Sequence, residues 1–367
     1  MAQIYLRPTA FVDAPFGHDG QVLRLAGGLV WCAAVEIIAV EGGRRTRQQL
    51  VPVGQLEAVL ASLGQEEDAA RATLARLIAP RAPLRLGART IRLDQPQAMA
   101  ILNVTPDSFS DGGAHAGDPA GAADAGMRLL EAGAALLDVG GESTRPGAAT
   151  VWEGDEIARV APVVERLARA GAAVSVDTRK AAVMAAALDA GAALVNDVSA
   201  LTYDRQALPL VAARGCPIVL MHHQGQPGTM QHNPVYGDVL IEVYDWLAAR
   251  IEAAVAAGVD RAAILIDPGI GFGKTLRHNL ALLNGLSLFH GLGCGIVLGA
   301  SRKRIIGALS NEAPVGQRLG GSIALALAGA AQGVQLLRVH DAAETVQALR
   351  IWRGLRDEAL SPVAPAA

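Results

Sequence analysis

Ala172-Ala-Val-Ser-Val-Asp177 and, one helical stretch later, Ala192-Ala-Leu-Val-Asn-Asp197 are short apolar runs that follow a glycine and end on a polar residue. The same unit recurs on both sides. Towards the C terminus it gives Pro217-Ile-Val-Leu-Met-His222, Ile264-Leu-Ile-Asp-Pro268, Ile296-Val-Leu-Gly-Ala-Ser301 and Leu336-Leu-Arg-Val-His-Asp341. Towards the N terminus it gives Ala135-Leu-Leu-Asp-Val139 and Ala98-Met-Ala-Ile-Leu-Asn103. Gly133, Gly171, Gly191, Gly215, Gly258, Gly293 and Gly333 stand where a helix closes and the chain turns into the next run. Continuous apolar runs, unlike alternating ones, suit strands buried on both faces of a parallel sheet. Eight such βα units over roughly 260 residues predict a (β/α)8 barrel, an α/β fold.

Helix starts agree with this reading. Asp118-Pro119 offers a cap followed by proline at the first helical position, and Asp341 with Glu344 has the spacing of a capping box. Residues 1–95 read as a small α/β extension, with strand-like Val30 to Val40 and Thr90 to Leu93 around two helical stretches, Leu56 to Leu63 and Glu66 to Ile78. Residues 96–358 form the barrel, and the Pro- and Ala-rich tail at 359–367 is expected to be disordered.

Composition narrows the function. In 367 residues, 32 basic side chains against 35 acidic ones leave a formal charge of -3, so no basic field for nucleic acid or an anionic membrane surface is expected. No cationic leader and no run near the ~18 apolar residues of a membrane span is visible, which predicts a cytoplasmic protein. Cys32, Cys216 and Cys294 are odd in number and far apart, suggesting buried reduced thiols and neither disulfides nor structural zinc. Lysine is scarce, with only Lys180, Lys274 and Lys303.

In such barrels the C-terminal strand ends carry the chemistry. Here they are Asn103, Asp138, Asp177, Asn196, His222, Asp267, Ser301 with Lys303, and Arg338 with His340. One of these alone would be an ordinary turn or cap residue, but eight in one barrel make a ring around a pocket. Asp177, Asn196 and Asp267 suit the donor and acceptor edge of a flat, N–H-rich heterocycle. Asn103, Arg338 and His340, with the Ser143-Thr-Arg145 loop, suit phosphate oxygens and a hard cation. The first and last strands adjoin when a barrel closes, so Asn103 is expected beside Arg338 and His340.

Other signals fail. Gly269-Ile-Gly-Phe-Gly-Lys274 lacks the first glycine of a P-loop, since Pro268 stands there. His222 and His223 are adjacent on a strand and point to opposite faces, so they cannot share a metal. Cys216 and Cys294 begin strands, at the end of a barrel that serves stability, and are not nucleophile candidates.

The same segments resemble the dihydropteroate synthase family. The likeness runs through Ile101-Leu-Asn-Val-Thr-Pro-Asp-Ser-Phe-Ser-Asp-Gly112, Asp138-Val-Gly-Gly-Glu-Ser-Thr-Arg-Pro-Gly147, Val176-Asp-Thr178, Asn196-Asp-Val198, Met221-His222, Asp267-Pro-Gly-Ile-Gly-Phe-Gly-Lys274, Ser301-Arg-Lys303 and Arg338-Val-His-Asp341, covering about residues 97 to 355. It implies condensation of a pterin diphosphate with p-aminobenzoate, with loss of diphosphate. It further implies a pterin site of Asp177, Asn196, Met221, Asp267 and Lys303. Asn103, Thr144, Arg145, Arg338 and His340 would hold the diphosphate, with Mg²⁺ on Asn103. Phe109, Pro146, Phe272 and Ser301 would line the p-aminobenzoate pocket, where a sulfonamide mimic would bind. Lys303, Arg338, His340 and Asp177 would carry the catalysis, in a homodimer joined through barrel helices.

Two alternatives share part of this pattern. A methyltetrahydrofolate-corrinoid methyltransferase shares the pterin-facing Asp and Asn positions, but its substrate has no diphosphate, leaving Ser-Arg-Lys and Arg-x-His without purpose. An inactive pterin-binding relative would be expected to have lost the anion residues, which this chain keeps.

Overall fold

An antiparallel sheet opens the chain. Its central strand β3 (Trp31–Glu41) pairs with β1 (Gln3–Val12), β2 (Leu23–Arg24) and β4 (Arg44–Pro52). Two helices follow, α1 (Val53–Ala61) and α2 (Glu67–Ile78), matching the two helical stretches expected there. The computed structural model describes residues 2–105, 118–143, 150–225 and 230–361. The expectations for Phe109, Thr144, Arg145 and Pro146, and for the tail from residue 362, lie outside the described residues.

The expected barrel forms. Strands β7 (Gln97–Asn103), β8 (Leu136–Gly140), β9 (Val174–Asp177), β10 (Leu194–Asp197), β11 (Ile218–Met221), β12 (Ile264–Asp267), β13 (Gly295–Leu298) and β14 (Leu336–Val339) are parallel, and β14 pairs with β7 to close the ring. Around them run α3 (Pro119–Glu131), α4 (Glu153–Arg169), α5 (Ala181–Asp189), α6 (Ala207–Arg214), α7 (Val239–Ala256), α8 (Leu276–Asn284), α9 (Arg304–Leu309), α10 (Leu319–Ala331) and α11 (Ala342–Ala359). The seven glycines expected at helix ends all have positive φ, the backbone state that a β-carbon disfavours. Asp118 caps α3 by accepting from the Ala120 amide at 3.0 Å. The capping box expected at Asp341 does not form: no side chain caps α11, and the Asp341 carboxylate accepts from the Arg302 guanidinium instead.

Alternation along each strand sorts the barrel interior into two levels. At the lower level Met99, Leu136, Ala173, Leu194, Val219, Leu265, Val297 and Leu336 form one apolar cluster. The hairpin β5 (Leu84–Leu86) and β6 (Arg89–Ile91) inserts Leu84, Leu86 and Ile91 into that cluster, joined by Leu93 just after it, and closes the barrel floor. This hairpin lies within the residues read as the extension, yet its side chains belong to the barrel core. The rest of the extension packs against the barrel's flank. Tyr5 donates to Asp245 of α7 at 2.8 Å, and the Ser287 hydroxyl donates to the Pro8 carbonyl at 2.7 Å. Arg76 and Arg81 donate to the carbonyls of Gly291 and His290 at 2.7 and 2.9 Å. Phe289, Leu286 and Leu288 are buried in the 3-10 helix Leu286–Leu292 beneath this extension.

Candidate active site

Two residues beyond the floor, the inward positions turn polar. Asp138, Ser175, Asn196, Asp267 and Arg338 stand two residues after floor residues, with Asp177 one further pleat along β9, while Ile101, Met221 and Gly299 are the positions that stay non-polar. Strand pairing sets Asp177 opposite Asn196 on one side and Gly140 on the other, and Met221 opposite Asp267.

The centre of this level is a buried ionic group. Arg338 donates from Nε to Asp138 Oδ2 at 2.5 Å and from a terminal nitrogen to Asp177 Oδ2 at 2.6 Å. The Asn196 amide donates to the same Asp138 oxygen at 2.9 Å, which fixes the amide's orientation. Asp138 Oδ1 and Asp177 Oδ1 are buried without a hydrogen-bond partner among the described residues. Burial pushes the Asp177 carboxyl up; Arg338 opposes that shift and Asp138 adds to it. For Arg338, burial favours loss of the proton, but the two carboxylates outweigh it and hold the guanidinium charged.

Asp267 and Lys303 flank this group. A β-carbon on Gly299 would lie 3.4 Å from Asp267 Oδ2 and 3.9 Å from both Arg338 Cδ and Lys303 Nζ, so these three side chains converge on one glycine. Asp267 accepts from the Gly269 amide at 2.7 Å. Its carboxyl is raised by burial, with Lys303 the first opposing influence. Lys303 Nζ sits 4.5 Å from the centroid of the Phe272 ring and donates to the Ile270 carbonyl. Burial lowers its ammonium pKa to about 8 against the pull of Asp267. Ser301 Oγ lies 3.1 Å from His340 Nδ1 and accepts from the His340 amide at 3.2 Å, tying the ends of β13 and β14 together.

Asn103 is half-buried at the end of β7, with its Oδ1 3.5 Å from where a β-carbon on Gly140 would sit and Asp177 Oδ2 3.6 Å from the same point. The β14–β7 register sets Arg338 opposite Met99, four residues before Asn103. Arg338 is engaged with Asp138 and Asp177, and His340 with Ser301, so these contacts do not by themselves join Asn103 to either residue. No group of three or more metal-binding side chains occurs among the described residues. One amide oxygen fits a Mg²⁺ whose remaining ligands are phosphate oxygens and water.

Two features escaped the sequence reading. Asp138 is a ring member with no role legible from its strand end, although a carboxylate in phase with Leu136 inside an apolar run signals an inward, buried acid. Lys274 is an organiser: its ammonium donates to the Gly269 and Phe272 carbonyls at 2.9 and 3.0 Å and lies 2.9 Å from His222 Nδ1. His222 itself faces the helix layer, edge-on to Trp246 at 4.9 Å. Asp197, beside Asn196, points out of the barrel and accepts from the Ser199 and Leu201 amides.

A parallel barrel carrying buried carboxylates, an amide and two cations at its C-terminal end is the kind of site a pterin binding enzyme presents, and the chain matches the family described as pterin binding enzyme over residues 99–340. It is 46% identical to the dihydropteroate synthase of Escherichia coli (strain K12) over 263 residues, 71% of this chain and 92% of that protein. The dihydropteroate synthase of Neisseria meningitidis serogroup B is also 46% identical, over 72% of this chain and 94% of its own. The solved Yersinia pestis dihydropteroate synthase with a sulfonamide drug complex superposes with a TM-score of 0.72 at 48% identity, covering 75% of this chain and 100% of that one. A Xanthomonas albilineans dihydropteroate synthase in complex with 7,8-dihydropteroate gives a TM-score of 0.68 at 45% identity, covering 75% of this chain and 99% of that one. The chain belongs to the dihydropteroate synthase family and is a transferase. Residues before 99 lie outside the family match.

Proposed function

We propose that the chain condenses 6-hydroxymethyl-7,8-dihydropterin diphosphate with p-aminobenzoate to 7,8-dihydropteroate, releasing diphosphate, with the pterin held at the polar level of the barrel. The observation that carries this assignment is the pair of unpartnered buried oxygens, Asp138 Oδ1 and Asp177 Oδ1. An ionised carboxylate only accepts hydrogen bonds, so such oxygens select a ligand edge rich in N–H groups. Asn196 and Asp267 complete that edge, Met221 packs on the ring, and Lys303 lies where pterin and aryl amine meet.

Asn103, Arg338 and His340, with Thr144 and Arg145, hold the diphosphate. Arg338 is well suited because its guanidinium, already shared by two carboxylates, keeps further N–H donors to turn towards phosphate oxygens. Mg²⁺ on Asn103 would neutralise charge on the departing diphosphate. Substitution at the pterin methylene separates charge: a cation develops on the pterin while an anion leaves. Asp177 stabilises the cationic ring by accepting its N–H groups, and Arg338 and His340 stabilise the anion. No covalent intermediate with the protein is needed. Phe272 and Ser301, with Phe109 and Pro146, form the p-aminobenzoate pocket, where a sulfonamide competes.

The enzyme acts in the cytoplasm as a homodimer. Three buried free cysteines, with the Cys32 thiol pushed up to about 12 by burial, accord with a reducing compartment. Ile351 and Leu355, exposed four residues apart on α11, offer an apolar strip to a second copy. A coupled assay for diphosphate release tests the catalytic assignment. Turnover that survives Asp177→Asn and Arg338→Met undiminished refutes it, and light scattering at micromolar concentration tests the dimer.

A further inference from the structure

Between Ser301 and Lys303 stands Arg302, whose φ of 57° is a left-handed backbone state that L side chains rarely adopt. It is the third residue of a turn from Ala300 to Lys303, closed by the Lys303 amide donating to the Ala300 carbonyl at 3.4 Å. Positive φ at that place in a turn usually calls for glycine or asparagine. The arginine is held there from three directions. Its amide donates to the Ser322 hydroxyl at 2.9 Å, and its carbonyl accepts from Arg318 at 3.0 Å. Its guanidinium forms a two-pronged ion pair with Asp341, Nε to Oδ2 at 3.0 Å.

Each partner of that ion pair borders the site. Arg302 separates Ser301 from Lys303, and Asp341 follows His340. Asp341 is the residue whose expected helix cap is missing because its carboxylate is turned to Arg302. The side chains have relative exposures of 31% and 13%, so the pair is partly shielded from solvent.

We infer that Arg302 and Asp341 are a positioning pair, which holds the strained turn after β13 against the end of β14 and so sets Lys303 over Phe272 and Ser301 against His340. This inference rests on the function proposed above. Neither residue touches substrate in this account. Arginine is required because its planar fork meets both carboxylate oxygens at once, whereas lysine presents a single point charge. A β13 turn released from β14 would relax its left-handed residue and move Lys303 away from Asp267 and the Phe272 ring.

The chain's three lysines make the test direct. Protein labelled with 13Cε-lysine gives one signal each for Lys180, Lys274 and Lys303, assigned by single Lys→Arg substitutions. In Asp341→Asn and in Arg302→Met the Lys303 signal and its titration midpoint should shift while the signals of Lys180 and Lys274 stay. Turnover with both substrates should fall by about tenfold, since small misplacements of reacting groups are expensive. The double variant should be no worse than the poorer single one, as for two residues acting through one contact. Arg302→Lys, milder and the fallback if either variant fails to fold, should shift Lys303 part of the way. An unmoved Lys303 signal in folded variants, or losses that multiply in the double variant, overturns the inference. Failure of the unsubstituted protein to turn over would instead count against the proposed function and leave the lysine measurement to decide the positioning claim alone.

Discussion

The floor and the upper level of the barrel interior are built from the same strands, two residues apart, and follow opposite rules. On β8 the inward sequence is Leu136 then Asp138; on β10 it is Leu194 then Asn196; on β12, Leu265 then Asp267; on β14, Leu336 then Arg338. The lower residues fill space against the hairpin β5–β6 and leave no polar atom to satisfy. The upper ones are buried nearly as deeply, but keep charge and unpartnered acceptors inside a low-dielectric enclosure. On these four strands stability and the proposed chemistry are thus separated by one pleat. A side chain's level, more than its burial, decides what its replacement will do.

The largest expected effect is at the upper level. Asp177→Asn removes an acceptor for the pterin and should lower kcat/KM by about 100-fold or more, while thermal unfolding changes far less. Arg338→Leu breaks the same group from the other side and should destabilise the fold by about 3 kcal/mol, because Asp138 and Asp177 lose their shared cation. Its pH dependence has a definite sign. A carboxyl whose folded pKa lies above its unfolded one supplies stability below the unfolded value and loses it as pH rises through the folded value. Asp177 is already raised, and losing Arg338 raises it further, so urea midpoints should show the variant closest to the parent in acid and furthest from it above neutral pH. Equal gaps at pH 5 and pH 8 would show that the carboxyl does not carry the penalty.

At the floor the balance reverses. Leu336→Ala should cost roughly 2–4 kcal/mol in unfolding, yet leave KM for both substrates within about twofold of the parent. If turnover falls as steeply as stability, the two levels are not independent. A smaller effect separates the extension from the hairpin. A deletion ending near residue 80 should keep turnover and lower solubility or thermal stability, by uncovering Phe289 and Tyr244. A deletion ending at 95 also opens the floor and should unfold at a still lower temperature. The smallest is in the pH profile: activity should decline as pH rises through about 8, where Lys303 loses its proton. A basic limb unchanged in Lys303→Arg would assign that titration to another group.

Much of this was legible in the sequence because each strand repeats a simple instruction. A helix-closing glycine, a short apolar run and a polar end place seven strands, Ala98–Asn103 in front makes the eighth, and all seven glycines adopt positive φ. The strand ends alone single out Asp177, Asn196, Asp267, Lys303 and Arg338. What could not be read was partnership. Sequence spacing places Arg338 near the end of the last strand but does not reveal that its long side chain crosses to β8 and β9. Asp138, one pleat below a strand end, has no local sign of its partners. Asp341 and Glu344 fit a capping box by spacing, yet an arginine 39 residues away takes the Asp341 carboxylate. The hairpin β5–β6 reads as part of the extension because nothing in three-residue strands tells which core they enter.

The proposed function divides the ring into a part that reads the heterocycle and a part that holds the anion. Calorimetric titration of one plain pterin and one pterin diphosphate, the latter with Mg²⁺, against Asp177→Asn and Asn103→Ala tests that division directly. Asp177→Asn should weaken both ligands by a similar factor, since both carry the same ring. Asn103→Ala should weaken only the diphosphate and leave the plain pterin within about twofold of the parent. Equal losses of both ligands in Asn103→Ala, or a plain pterin that binds Asp177→Asn as it binds the parent, would contradict it.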